Sequence, residues 1–486
     1  MISMIEFVLV IDIMSSIYKK EVSKMKSNTT DLGHGSVKSL LLKLAVPAVV
    51  AQIINLLYNI VDRIYIGHIP EIGTNALTGV GLCMPILMLV NAFATLAGAG
   101  GAPRAAIAMG QGRKDDAEHI LGNCFSALMM IAAILTIGLC FTAEPLLWMF
   151  GASENTIPYA LDYMRIYLLG SIFVLIVMGM NTFITTQGFA NFAMLTTVIG
   201  AVINIILDPI FIFVFRLGVK GAALATIISQ CVGALWVLKF LTGEKTILNL
   251  RIKNLKIKAP VILPCLALGI SSFIMLSTES LLSISFNSSL SKHGGDLAVG
   301  AMTIITSVAQ LITLPLTGVC QGAQPIISYN FGAGNKERVM STFKYALIAC
   351  AGYTILGWIL TLLVPSMFAS IFSRDTALIN YASWSMRIYM AGIFAFGFQI
   401  CCQQTFVALG QAKISLLLAC LRKLVLLIPL IFALPLFIEN KVFAVFLAEP
   451  ISDILAASVT TIMFFTKIRG ILEKGANKNR KSMDFI

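Results

Sequence analysis

Charge is what this 486-residue sequence has least of. Charged residues make up 12% of the chain, about half of the roughly 25% typical of a soluble domain. Such a deficit excludes an ordinary water-facing globule. Histidine is scarce as well. The four present (His34, His68, His119, His293) sit at or beyond the ends of apolar runs, so no histidine relay crosses the apolar part of the chain. No CxxC with flanking histidine occurs. The ten cysteines lie almost all inside apolar runs, as at Cys83, Cys140, Cys231, Cys320 and Cys401–Cys402. They read as small packing residues, not as metal or disulfide chemistry. There is no Walker motif, which excludes ATP hydrolysis on this chain. The glycine-rich Gly98-Ala99-Gly100-Gly101 lies inside an apolar run with no Lys-Ser/Thr behind it, and reads as close helix packing or bending. Ser/His/Asp, Cys/His and HExxH groupings are missing too, so an enzyme is not expected.

What the chain does have is apolar length. Hydrophobic residues are 58% of it and the mean hydropathy is +0.90. Most residues fall in apolar runs of about 20 or more, enough to cross a bilayer core. The runs lack the period-2 alternation of barrel strands, so the spans are helical. We place twelve, at about 40–66, 78–108, 119–148, 158–186, 192–215, 218–241, 260–289, 297–328, 340–369, 378–409, 414–438 and 442–466. Pro47, Pro85, Pro103, Pro264, Pro315, Pro325 and Pro429 are kink candidates. The opening residues differ. Ile5–Ile17 is apolar but short, is interrupted by Glu6 and Asp12, and lacks a signal peptide's positive leading region. Met25 begins a conventional start, so Met1–Lys24 is expected to be a mis-called start or a disordered leader.

The net charge is +12. Placed along the spans, 19 lysines and arginines fall in segments on the side of the N-terminus, among them Arg113, Lys114, Lys258, Arg338 and Lys467. Only five, Arg216, Lys220, Lys292, Arg374 and Lys441, fall on the other. The positive-inside rule then puts both termini in the cytoplasm. The charge is topological and calls for no nucleic acid.

An internal repeat organises the chain. Gly110-Gln111-Gly112-Arg113-Lys114-Asp115 matches Gly332-Ala333-Gly334-Asn335-Lys336-Glu337 at an offset of 222 residues. At the same offset Met164-Arg165-Ile166-Tyr167 meets Met386-Arg387-Ile388-Tyr389, and no gap is needed from Pro103 to Ala412. Six spans per half is an even number, so the halves share one orientation, an arrangement suited to two bundles rocking about a shared cavity. The expected division is a leader at 1–37, an N-lobe at 38–242, a basic cytoplasmic linker at 243–259, a C-lobe at 260–468 and a basic tail at 469–486.

Polar residues inside spans are functional candidates. Asn55, Asn59 and Asp62 share one face of the first span. Asn204 and Asp208 lie one turn apart in the outer half of the fifth, and Thr226 reaches similar depth in the sixth. Together they suggest an oxygen-rich pocket for Na⁺ or a carried proton. The competing reading makes Asp62 an interfacial aspartate and Asp208-Pro209 a helix end. Arg165 either pairs with Asp208 or Asp62 or reaches to the interface. Glu279 is the one acid well inside the seventh span, with Arg387 as a candidate partner. Asp453, after Glu449-Pro450, reads as a helix cap. Met178, Met180, Met194 and Met275 either line a forgiving cavity or simply pack, and packing is the commoner case.

These residues resemble the multidrug and toxic compound extrusion (MATE) family, in its bacterial DinF/MepA-like branch, over about 38–468. The resemblance is carried by Pro47, by Tyr58-Asn59-Ile60-Val61-Asp62 with Gly67, by Gln111-Gly112-Arg113 and by Asn204 with Asp208-Pro209. Gly221-Ala222-Ala223-Leu224-Ala225-Thr226 and the run Gln321-Gly322-Ala323-Gln324-Pro325 to Gly334 complete it. It implies an all-α, twelve-helix, two-lobed antiporter of the cell membrane, acting as a monomer without a cofactor. Such a protein exports cationic amphipathic drugs against H⁺ or Na⁺. It also implies an ion-responsive N-lobe site at Asp62, Asn204, Asp208 and Thr226, with Asn181 nearest in type to the family's helix-4 asparagine. Other branches use a helix-7 glutamate, for which Glu279 stands, and a helix-10 aspartate, where this chain has Gln399, Gln403 and Gln404. A lipid-linked precursor flippase of related architecture is the alternative. Arg63, Arg104, Arg165 and Arg387 are few arginines for lining an anionic-lipid cavity. A polytopic membrane enzyme is the more distant alternative.

Overall fold

The computed structural model describes residues 31–483, with side chains to residue 474. The expectation for Met1–Lys24 lies outside the described residues. Among these residues there is no strand. Lipid offers no partners to backbone N–H and C=O groups, and a helix satisfies them within one segment.

The first three helices are α1 (Val37–Gly67), α2 (Gly73–Gly110) and α3 (Lys114–Met149). Next comes α4, in two segments (Ile157–Leu169 and Ser171–Thr186) bent by 56° at Gly170. α5 (Ala190–Pro209) continues as a π-helical turn (Ile210–Val214) and is followed by α6 (Val219–Leu241). Ala259–Gly332 is helical over 74 residues, but Gly295 breaks it with φ 65° and ψ −162°. Unbroken, such a helix would be about 110 Å long at 1.5 Å per residue, several times a bilayer core. The break separates α7 (259–294) from α8 (296–332). α9 (Lys336–Leu363) is followed by a short helix, Pro365–Phe372. α10 comprises Thr376–Tyr389 and Ile393–Ala408, joined by a 3₁₀ turn (Met390–Gly392). α11 comprises Ala412–Cys420 and Ile428–Phe437 around a π-helical stretch, Leu421–Leu427, and α12 is Lys441–Met483. Ten of these helices are long and apolar enough to span by themselves. The bent α4 is an eleventh, and the break at Gly295 makes twelve, agreeing with the sequence count.

The repeat is visible in the backbone. Gly112 and Gly334, 222 residues apart, turn with φ +74° and +76°, and Gly188 and Gly410 with +91° and +70°. α4 and α10 are both interrupted at the repeat-related Gly170 and Gly392. Two apolar cores result, one dominated by α2–α6 and one by α8–α12. α1 and α7 contribute to both. Leu40, Leu41, Leu44 and Ala45 of α1 pack in the C-terminal core, while Ile66 packs in the N-terminal one, as do Ile262 and Cys265 of α7.

The lobes close on each other at the end where α1 begins and α12 ends. A Cβ on Gly100 would lie 2.0 Å from the Cys265 carbonyl oxygen, one on Gly269 1.8 Å from that of Leu96, and one on Gly322 2.5 Å from the Ala45 backbone. Only glycine permits such approach. Residues 246–258 are fastened to the N-terminal half. Gln187 Oε1 accepts from the Leu248 N–H (2.8 Å), Asn123 Oδ1 from the Lys258 N–H (2.6 Å), and the buried Glu118 meets Arg251 at 3.4 Å.

Candidate ion and substrate site

Asp62 occupies the last turns of α1, and Asp208 the end of α5 just before Pro209. Both are buried, at 8% and 0% exposure. α1 packs against α5, and the two carboxyl groups lie close enough to interact. Asn204, one turn before Asp208 on the same face, donates from Nδ2 to Asp208 Oδ1 at 3.3 Å and to Thr226 Oγ at 3.4 Å. α1, α5 and α6 therefore meet in one polar cluster inside an apolar bundle. Three oxygens in it, Asp62 Oδ1, Asp208 Oδ2 and Asn204 Oδ1, are buried without a hydrogen-bond partner among the described residues. Buried acceptors left open in this way are costly. They form an oxygen-only set of the kind that a proton or a hard cation satisfies.

Other candidates lie elsewhere. Asn59 is exposed and its amide donates back to the Asn55 carbonyl of the preceding turn at 2.6 Å, so it bonds within its own helix rather than joining the cluster; Asn55 is half-buried. Asn181 ties α4 to the start of α5, donating to the Ala193 carbonyl at 3.0 Å and accepting from Thr196 at 3.3 Å. Arg165 is exposed and lines a separate cavity of about 430 Å³ with Glu144 and Trp148, so it joins neither aspartate. Sequence reasoning missed two tyrosines. Tyr58 sits one turn before Asp62 on α1, and Tyr163 of α4 is buried beside the cluster. The i, i+4 spacing from Asp62 was a readable signal for Tyr58.

The C-terminal half holds a second polar group with different chemistry. The expected pairing of Glu279 with Arg387 does not occur. Arg387 is exposed and donates from Nε to the Leu362 carbonyl at 3.1 Å. Glu279 is bound instead by Lys423, whose ammonium also donates to the Met275 carbonyl at 2.7 Å. Asp453 is no helix cap. It is buried and accepts from Arg422 Nε at 2.7 Å, while Glu449, one turn earlier, accepts from Arg422 Nη2 at 2.9 Å. Arg422 and Lys423 escaped the sequence reading, although two charges within an apolar span are the signal that singled out the aspartates. Both sit in the π-helical stretch of α11, where neighbouring side chains point to different partners, Arg422 to α12 and Lys423 to α7. The C-terminal acids are thus met by protein cations, whereas the N-terminal pair is not.

Twelve helices in two repeat-related halves, with buried acids inside the spans, define a polytopic membrane protein. The chain belongs to the MatE family, whose profile matches it twice, at residues 47–210 and 271–433, once in each half. Among curated relatives, the multidrug export protein MepA of Staphylococcus haemolyticus is 25% identical over 424 residues, covering 87% of this chain and 92% of its own. Among solved structures, one described as MATE in the bent conformation superposes with a TM-score of 0.85 at 23% identity, covering 91% of this chain and 98% of its own. A second, an outward-facing multidrug resistance MATE family transporter of the MOP superfamily, gives 0.84 at 22%, covering 92% and 99%.

Proposed function

We propose that this protein is a secondary active multidrug efflux antiporter of the bacterial cell membrane. It exports cationic amphipathic compounds in exchange for H⁺ or Na⁺ by alternating access, acts as a monomer, and keeps both termini in the cytoplasm. The name of the MepA relative supports drug export. The approach of Asp62 to Asp208 carries the exchange reading. Two negative charges at that spacing repel, and a proton or one small cation between them relieves the repulsion. A cationic substrate drawn to the same acidic region competes with that ion. Such competition is the differential binding that any ligand-driven switch requires.

The coupling is asymmetric in this reading. The repeat puts Ile284 where Asp62 would recur and Leu430 where Asp208 would. Arg422 and Lys423 already neutralise acids of the other lobe. The test is ethidium efflux from energised cells at matched expression, together with substrate-induced dissipation of an imposed pH or sodium gradient in proteoliposomes. Asp62→Asn and Asp208→Asn should each abolish gradient-driven efflux while leaving the protein folded in the membrane, and Glu279→Gln should weaken it less. Full activity in Asp208→Asn with loss only in Glu279→Gln would move coupling to the other lobe. Flipping of labelled lipid without ethidium efflux would replace the reading with a flippase.

A further inference from the structure

A cavity of about 880 Å³ lies at the closed end, between the lobes. α2, α3 and the start of α7 wall it on one side, and the end of α12 walls it on the other. Its lining is strongly basic. Asp116 is the only carboxylate in it, and Asp116 is already bound to Arg113 at 2.9 Å. Four further cations, Arg104, Lys258, Lys467 and Lys474, line the same space, and none makes an ion pair among the described residues. The Arg104 Nε is buried without a hydrogen-bond partner among those residues. Topology alone brings positive residues to a cytoplasmic face. It does not require them to converge from two lobes on one cavity. The volume is that of a small-molecule site. Its sign is wrong for a cationic substrate, which these groups would repel, and right for an anion with several oxygens.

We propose that this cavity binds a phosphate-bearing ligand, and that its occupancy holds the lobes together at this end. Empty, the cavity sets Arg104 and Lys258 on one side of the seam against Lys467 and Lys474 on the other, so like charges oppose closure. A polyanion between them turns repulsion into a bridge. It binds more tightly when the end is closed than when it is open, so it shifts the population towards closure and slows any cycle that must open this end. The binding site stands whether or not the exported compounds are cationic drugs. A free phosphate compound and an anionic lipid headgroup share this chemistry.

The full-length protein in phosphatidylcholine nanodiscs supplies the test, with thermal unfolding as the readout. Sodium pyrophosphate should give a saturable rise in the unfolding midpoint over sodium chloride of equal ionic strength. The exposed double variant Lys467→Gln/Lys474→Gln should raise the half-maximal concentration by about tenfold or more, while Lys441→Gln, at the opposite end, leaves it unchanged. If pyrophosphate has no effect but exchanging phosphatidylcholine for phosphatidylglycerol raises the midpoint of the native chain and not of the double variant, the ligand is a lipid headgroup. No rise from either source, or an equal rise in the double variant, overturns the site. Spin labels at Lys253→Cys and Lys413→Cys, one on each side of the seam in a cysteine-free background, test closure. Their distance distribution should narrow to its short component when the ligand is present. A distribution that stays the same while the ligand binds overturns the clamp.

Discussion

Gly110 and Gly332 each sit against the backbone of the other's helix. A Cβ on Gly110 would lie 1.9 Å from the Tyr329 carbonyl oxygen, and one on Gly332 would lie 2.1 Å from that of Ile107. Gly110 and Gly332 are repeat mates, and so are Ile107 and Tyr329, both pairs 222 residues apart. The contact is therefore its own image under the pseudo-two-fold axis, and it seals the end where α1 begins and α12 ends.

Gly332→Ala should pry that seal apart, because the obstacle is a backbone carbonyl that cannot rotate away. Cys265, fully buried beside Gly100 on the same seam, is a native reporter. With Cys265 as the sole cysteine, a membrane-permeant thiol reagent should label the glycine variant several-fold faster than the parent. Equal rates would mean that the seam tolerates the methyl group without opening.

Arg338 fastens the chain ahead of α1 to the other lobe. Its guanidinium donates to the carbonyls of Gly35 (2.7 Å), His34 (3.1 Å) and Leu32 (3.4 Å) and to Asn330 Oδ1 (3.1 Å). Asn330 in turn donates to the Leu32 carbonyl at 2.8 Å. Lysine cannot reproduce this fork. Arg338→Lys and Arg338→Ala should both accelerate hydrogen exchange over residues 31–36 while exchange in α8 is kept. Unchanged protection would show that Leu32 burial alone holds the segment.

Arg422 stands between two buried acids, so its removal strands both. Arg422→Gln should destabilise the protein by about 3–5 kcal/mol, the usual consequence of breaking a buried ion pair from one side. Adding Glu449→Gln and Asp453→Asn should recover most of the loss in thermal unfolding. Additive losses across the three changes would deny the coupling.

Lys253 and Asn440 are exposed at opposite ends of the molecule. In intact cells an impermeant thiol reagent should miss a cysteine at Lys253 and label one at Asn440, in a background without native cysteines. The reverse pattern would invert the topology and put the basic cavity outside.

Composition and periodicity were enough for the helices, their number and the repeat. A span needs a long apolar stretch of chain, and a duplicated motif survives as text. Local pattern also made Asp62, Asn204, Asp208 and Thr226 stand out, since a polar residue in an apolar run is visible without a fold. It could not say which polar groups meet. Glu279 is 144 residues from Lys423 and far closer in sequence to other candidates, while Arg387, favoured by the repeat, turns out to the α9 backbone. Partner choice depends on which helix faces which, and on the π-helical stretch of α11 that aims Arg422 and Lys423 at different neighbours. The basic cavity belongs to the tertiary structure too. Its cations come from α2, the linker and α12; along the chain Lys258, Lys467 and Lys474 looked like ordinary positive-inside charge, and Arg104 like one of a few scattered span arginines. Hydrophobicity along one dimension determined that this chain lives in a membrane and folds twice over. Only the packing of the two lobes decided which charges are paired, which are left open, and at which end the protein is shut.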